Sequence, residues 1–296
     1  MDRQFQYFEG EVCAATLCLD LTLYVKDPFP DIGEGVVEFY NQFIDRFGKS
    51  IRWYATESMG TMAPISPRAL SMVPSWFKPS SKPRSEYGMF MHSGQTKEGV
   101  GDVAFDMFGD RDSSYTNFLR MAVPASYTDN GVQPFLDLVT GAASKLPFLS
   151  GHGGYAFILD TRGRFEGKAL RKIKEWVPRH PGIDIGKPLS TSWYTLDAIK
   201  GVNWLTLLNQ DFCKRLGGVE SIKTKLGPEA VVHPVQNGIL IQAGPKPQMG
   251  DVNKGENLPV YRNVAKVVHP VRLKEHRPIG WMNEEATMAW FGRFDG

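Results

Sequence analysis

The sequence predicts an α+β fold in which largely antiparallel sheets are flanked by helices. Three observations predict it. A β-rich run spans Val12–Val25. Three more apolar runs, residues 87–91, 100–108 and 116–123, follow one another as successive strands. A hairpin signal, Gln236-Asn237-Gly238, then joins residues 230–235 to 238–242. Asn-Gly is the strongest short hairpin signal because a type I′ turn needs two positive φ angles.

A chain of 296 residues can bury a substantial core, and 42% hydrophobic against 22% charged residues is ordinary globular composition. One compact body over 1–296 is expected. The net charge of +2 is too small to argue by itself for nucleic acid or an anionic membrane. Its distribution is more informative: residues 1–148 carry 13 Lys+Arg against 18 Asp+Glu, and residues 149–296 carry 21 against 14. An acidic surface is expected on the N-terminal side. Cys13, Cys18 and Cys213 lack the spacing of a disulfide framework and read as buried, reduced thiols. Cys13 and Cys18, five apart in a strand, should face opposite sides. The polar start MDRQFQYFEGE has no apolar signal core, and no apolar run reaches the length of a membrane span, so a cytoplasmic protein is expected.

In chain order, Val12–Val25 alternates imperfectly, as a long strand in a packed sheet does. Asp27-Pro28 turns the chain into a helix over Gly33–Phe47, with Val36, Val37, Tyr40, Phe43, Ile44 and Phe47 on one broad face and Gly48 as its stop. A strand over 51–55 follows. Ser66-Pro67 opens a helix to about Phe77, since proline in the first turn gives up no hydrogen bond. After the three strands, a helix starting near Asp129 ends before Pro147. Gly151-His152-Gly153-Gly154 reads as a tight turn into a strand over 155–159. A basic amphipathic helix over about 164–177 and a β-like segment near 191–196 come next.

Residues 202–208 begin the central stretch as a strand. Asn209 or Asp211 can cap the helix that follows, because a short polar side chain accepts the free N–H groups of the first turn. Phe212 and Leu216 face inward, Gly217-Gly218 stop the helix, and Val219, Ile222 and Leu226 repeat at helical spacing. Beyond the hairpin come a short helix over 258–268 and a last one capped by Asn283 and pinned by Met288 and Phe291. Both halves can be written as strand, helix, strand, helix and hairpin, which makes 1–148 and 149–296 candidate pseudo-repeats.

The motifs GVNWLTLL, LGG, GILIQAG, P-x-x-GDVN and Tyr261-Arg262 follow one another from Gly201, after GHGGYAF at Gly151 and before HPVR ending at Arg272. In this order they resemble bacterial type VI secretion immunity proteins of the TsiV kind. The resemblance implies a non-enzymatic protein. Its partner would be a VRR-Nuc toxin, an effector with a restriction-endonuclease-like nuclease domain, neutralised by occluding its DNA-binding or active site. The motifs themselves read as scaffold rather than as a reactive centre.

Gly151-His152-Gly153-Gly154 is similar to an esterase oxyanion loop, but the nucleophile elbow Gly-x-Ser-x-Gly is absent from the sequence. Asp160, Glu166 and Lys168 are the nearest approach to a nuclease set, in which carboxylates hold Mg²⁺ and a lysine sits by the phosphate. Salt-bridged helix surface is the plainer reading of the pair Glu166 and Lys168. An enzyme using either feature is the alternative function. The histidines show no i,i+4 pairing and no cysteine at zinc spacing, and Gly244 to Asp251 is no phosphate loop. No cofactor is expected.

Two surface features are candidates for partner binding. The run EGVGDVAFDMFGDRD places Glu98, Asp102, Asp106, Asp110 and Asp112 close together, with Asp102 and Asp106 on one strand face opposite Val103 and Phe105. Its plain reading is a solvated outer face. Its functional reading is an inhibitor patch whose carboxylates compete for the basic groups a nuclease offers to DNA phosphates. Trp76 with Phe77, followed by Lys78-Pro79, is the candidate exposed aromatic pair, and Trp53, Trp193, Trp204, Trp281 and Trp290 are further tryptophans to place.

Overall fold

Alternation along Val12–Val25 sets up the sheet, sending Leu17, Leu19, Leu21 and Leu23 to one side and Cys18, Asp20, Thr22 and Tyr24 to the other. The computed structural model describes residues 2–110, 114–159 and 165–295. Its strands are β1 (Gln6–Glu9), β2 (Val12–Val25), β3 (Trp53–Thr56), β4 (Ala63–Pro64), β5 (Glu86–His92), β6 (Ala104–Asp110), β7 (Asn117–Pro124), β8 (Phe148–Leu159), β9 (Asp184–Ile185), β10 (Leu205–Asn209), β11 (Ala230–Val235) and β12 (Gly238–Ala243). Its helices are α1 (Gly33–Phe47), α2 (Pro67–Leu70), α3 (Met72–Trp76), α4 (Gln133–Ala143), α5 (Glu166–Trp176), α6 (Pro188–Ser192), α7 (Gln210–Arg215), α8 (Val219–Leu226), α9 (Pro259–Val268) and α10 (Glu284–Phe291). The strands form one 12-stranded sheet in the order β11-β12-β10-β8-β2-β7-β6-β5-β3-β4, with β1 attached to β2 and β9 to β8. Pairing is antiparallel except for the short parallel match of β9 to β8. The architecture is α+β, as expected.

Helices α1, α4 and α5 close the leucine side. Phe39, Tyr40 and Phe43 of α1 surround Phe105 with ring centroids 5.9, 5.2 and 5.3 Å away. Phe135 of α4 stacks on Trp204 at 6.1 Å, and Trp176 of α5 on Phe157 at 5.4 Å. Phe105, Phe135 and Phe157, all fully buried, each contribute about 1.5–3 kcal/mol through apolar area alone. The family-like motifs sit inside this scaffold. Trp204 is wholly buried and its indole N–H donates to the Gly244 carbonyl at 3.0 Å. The Tyr261 hydroxyl accepts the Gln248 N–H at 3.0 Å, and Asp251 takes a forked pair of bonds from Arg179 at 2.9 and 2.7 Å, which together hold the P-x-x-GDVN loop.

Several local expectations are corrected. Gly151-His152-Gly153-Gly154 is not a turn but the middle of β8, paired to β2 on one side and, through Gly151, His152 and Gly153, to β10 on the other. A Cβ on Gly151 would lie 2.7 Å from both Leu23 Cδ2 and the Thr22 carbonyl, so glycine there lets the neighbouring leucines close over the strand. The segment near 191–196 is led by the helical turn α6 rather than a strand. The helix expected from Ser66 breaks into α2 and α3 because Pro74 has no N–H to continue it; the Leu70 carbonyl instead accepts the Tyr40 hydroxyl at 3.0 Å. Cys13 and Cys18 share a side: the β1 pairing steps from Ala15 to Cys13, leaving Ala14 as a bulge that reverses the alternation. At the β11–β12 turn neither Gln236 nor Asn237 has a positive φ, so the turn is not type I′. Gly238 is required instead by close approach, since its Cβ would meet the Leu208 carbonyl at 2.0 Å.

Candidate partner-binding surface

The acidic run does not form a single face. Glu98 and Asp102 lie in the connection before β6, where Glu98 faces Lys97 at 3.7 Å and Asp102 accepts the Ser93 hydroxyl at 3.2 Å. Asp106 turns inward to an ion pair with Arg120, a residue only 4% exposed. Asp110 accepts the Tyr115 hydroxyl at the far end of β6. Asp112 lies outside the described residues, as does Asp160. The reason Asp106 leaves the surface set is arithmetic of register: it stands opposite Arg120 of β7, on the side shared with Asp20 and Thr22 of β2.

The aromatic candidates also exchange places. Trp76 is 8% exposed, under the Arg84 guanidinium at 4.9 Å and against Tyr87, while Phe77 stacks on Tyr87 at 5.3 Å. The exposed tryptophan is Trp193, which follows α6 and is 52% exposed. Arg277 lies over its ring at 3.7 Å, Tyr115 leans on it at 6.2 Å, and Leu189 of α6 is 44% exposed. The end of the acidic run therefore touches this aromatic platform through Tyr115. Its base is rigid: Thr116 N–H donates to the Ser192 carbonyl at 3.1 Å, and the Thr116 and Thr195 hydroxyls meet at 2.7 Å. Pro188 at the first helical turn is the local sequence signal for α6.

A group missed by sequence reasoning lies on the polar side of the sheet. Lys200 Nζ is 2.6 Å from Asp184 Oδ2 and 3.2 Å from the Ile185 carbonyl. His152 Nε2 stands 3.5 Å from Asp184 and 3.8 Å from Asp20, Thr22 donates to Asp20 at 3.1 Å, and Arg293 reaches Asp184 at 4.0 Å. Burial pushes the Asp20 carboxyl up to about 6, against the pull of Arg120 and Lys200. Burial first, then Lys200, pushes His152 down to about 3. Burial would raise Asp184 too, but Lys200 and Arg293 outweigh it and hold it at about 2. A neutral histidine between carboxylates resembles a catalytic arrangement, yet His152, Asp20 and Asp184 are 4, 1 and 3% exposed. The cluster ties β2, β7, β8 and β9 to the C-terminal segment. Its members are scattered from position 20 to 293, so no spacing motif announces it.

Of the other set, Glu166 and Lys168 are described and Asp160 is not. Glu166 pairs with Lys187 at 2.6 Å and Lys168 with Glu9, each at the surface of α5. An open groove of about 850 Å³ runs along the P-x-x-GDVN loop between Arg179, His180 and Leu258. Among the described residues no group of His, Cys, Asp and Glu has the geometry to hold a metal ion.

Against this geometry, a family model described as TsiV, type VI immunity for VRR-NUC, matches residues 35–294. Among solved structures the chain is similar to one titled Pseudomonas aeruginosa T6SS protein PA0821, with a TM-score of 0.83 and 21% identity over 96% of this chain and 83% of that one. At that identity the likeness is one of fold. No curated protein sequence gives a significant match.

Proposed function

This chain belongs to the TsiV family, type VI immunity for VRR-NUC, and from that premise we propose that it binds the nuclease domain of a type VI effector and neutralises it by occluding the DNA-binding groove or the active site. It does so without chemistry of its own. The observation that carries this reading is the family match over residues 35–294; the burial of His152, Asp20 and Asp184 agrees with it. What the molecule offers a partner is surface. The carboxylates of Glu98 and Asp102 give the acidic approach to a basic groove, with Asp110 further along the run, while Asp106 is held inward by buried Arg120; Asp112, next in the sequence, belongs to the same proposed patch. Trp76 and Phe77 contribute by shaping the body beneath. Such an inhibitor acts where the DNA is, in the cytoplasm; among the described residues no helix is long and apolar enough to cross a membrane.

The test mixes purified chain with a VRR-NUC domain, Mg²⁺ and linear duplex DNA. Co-elution on size exclusion and loss of cleavage near equimolar ratio are expected. Undiminished cleavage in the presence of excess chain would overturn the reading. DNA degradation by the chain alone, abolished in Asp160→Ala/Lys168→Ala, would replace it with an enzymatic one.

A further inference from the structure

Trp193 is held in water by its neighbours. Tryptophan buries on the order of 150–250 Å² when enclosed, so leaving half of it exposed forgoes apolar stabilisation that a partner can recover. Arg277 at 3.7 Å meets the ring face-on, and Leu189 extends the apolar area beside it. Trp, Tyr and Arg are the residue types that dominate the centres of interfaces. Because α6 is fastened to β7 through Thr116, Ser192 and Thr195, little ordering remains to oppose binding.

Charge complementarity identifies the occupant. No carboxylate among the described residues lies within 4.0 Å of the Arg277 guanidinium. Stacking occupies the flat face of a guanidinium and leaves its N–H edge, which forks onto carboxylates. A nuclease that works with Mg²⁺ gathers carboxylates at its metal site. We propose that the Trp193–Arg277 stack, with Leu189 beside it, is the anchor by which the chain docks on the nuclease domain, Arg277 pairing with a carboxylate of the partner's metal site. This inference rests on the function proposed above and adds the contact face and its chemistry.

The experiment measures Kd for a VRR-NUC nuclease domain that wild type inhibits, using wild type, Trp193→Ala, Arg277→Ala, Arg277→Lys and Leu189→Asp, with a thermal melt of each. Trp193→Ala and Arg277→Ala should each weaken binding about 30-fold or more, the loss of a hot-spot residue worth about 2 kcal/mol. Melts should stay within a few degrees of wild type, and Leu189→Asp supplies the same reading should Trp193→Ala fold poorly. Arg277→Lys keeps the charge, loses the fork, and should stay weakened. Against a nuclease domain whose metal-site carboxylates are changed to alanine, wild type should weaken and Arg277→Ala should lose nothing further. If wild type binds and the Trp193 and Leu189 variants bind within threefold of it, this anchor is wrong while the function stands. If Arg277→Ala alone binds like wild type, the carboxylate pairing is wrong. If wild type inhibits no such domain, the function and the anchor fall together.

Discussion

Lys200 Nζ rests 2.6 Å from Asp184 Oδ2 with both side chains sealed from water. The pair joins β9 to the connection that leads into β10, and Asp184 also faces His152 and Arg293. Removing one member leaves a buried charge without its partner, which costs about 3–5 kcal/mol. Lys200→Met should therefore lower the urea midpoint sharply. Combined with Asp184→Asn, the loss should be clearly less than additive, because the two changes remove one shared interaction. Additive losses would show that the pair does not couple β9 to β10.

Stability should fall as the medium turns acidic, starting at a mildly acidic pH. His152 titrates near 3 in the folded chain against an ordinary 6.5, so the unfolded chain takes up its proton first. Its contribution is complete above pH 6.5 and is lost as pH falls toward 3. Asp20 acts in the opposite sense, since its folded value of about 6 exceeds the ordinary 3.8; its contribution is complete below 3.8 and lost as pH rises through 6. Asp184, held at about 2, is stabilising above 3.8 and loses this only in strong acid. Between pH 7 and 6 His152 dominates. Urea melts across that interval should show a decline that His152→Gln flattens; an unchanged slope in the variant would assign the decline elsewhere.

Trp204 is enclosed by Phe135 and hydrogen-bonded to Gly244. Trp204→Ala should destabilise the fold by roughly 3–5 kcal/mol. Protection of cells against the nuclease should then track the amount of folded protein. A soluble, fully folded variant that no longer binds would place Trp204 in the interface instead.

The acidic residues should divide by experiment as they do by position. Asp102→Lys with Glu98→Lys reverses surface carboxylates, so association with the nuclease domain should slow, most at low salt, while the melt barely moves. Asp106→Lys sets a second cation against buried Arg120 and should instead lower the melting temperature. Glu284→Lys with Glu285→Lys is the control, altering charge equally but touching only the first turn of α10. Equal association rates for the surface variant and wild type at low salt would reduce the run to solvated surface.

Much of the fold was legible because local chemistry and tertiary packing agree there. Val12–Val25, Gly33–Phe47, the cap at Asn209 and the cap at Asn283 appear where alternation, helical spacing and short polar side chains put them. The candidate surface was legible only in part. Asp110 stands beside Trp193 through Tyr115, a neighbourhood the sequence does not show, and the Lys78-Pro79 flank that suggests exposure for Trp76 leaves that ring 8% exposed. Exposure depends on what else covers a ring, and Arg84 and Tyr87 cover Trp76 from a separate part of the chain.

The sequence by itself determined the α+β class, the positions of the long elements, the hairpin and the family. These follow from periodicity, capping and motif order, which are properties of neighbours along the chain. Tertiary structure alone decided that the glycines after Ser150 run through the sheet, because the groups that leave Gly151 no room for a side chain, Leu23, the Thr22 carbonyl and Leu207, come from adjacent strands. It alone assembled Asp20, Arg120, His152, Asp184, Lys200 and Arg293, since a buried charge is tolerated only when folding brings its partner to it from elsewhere in the chain.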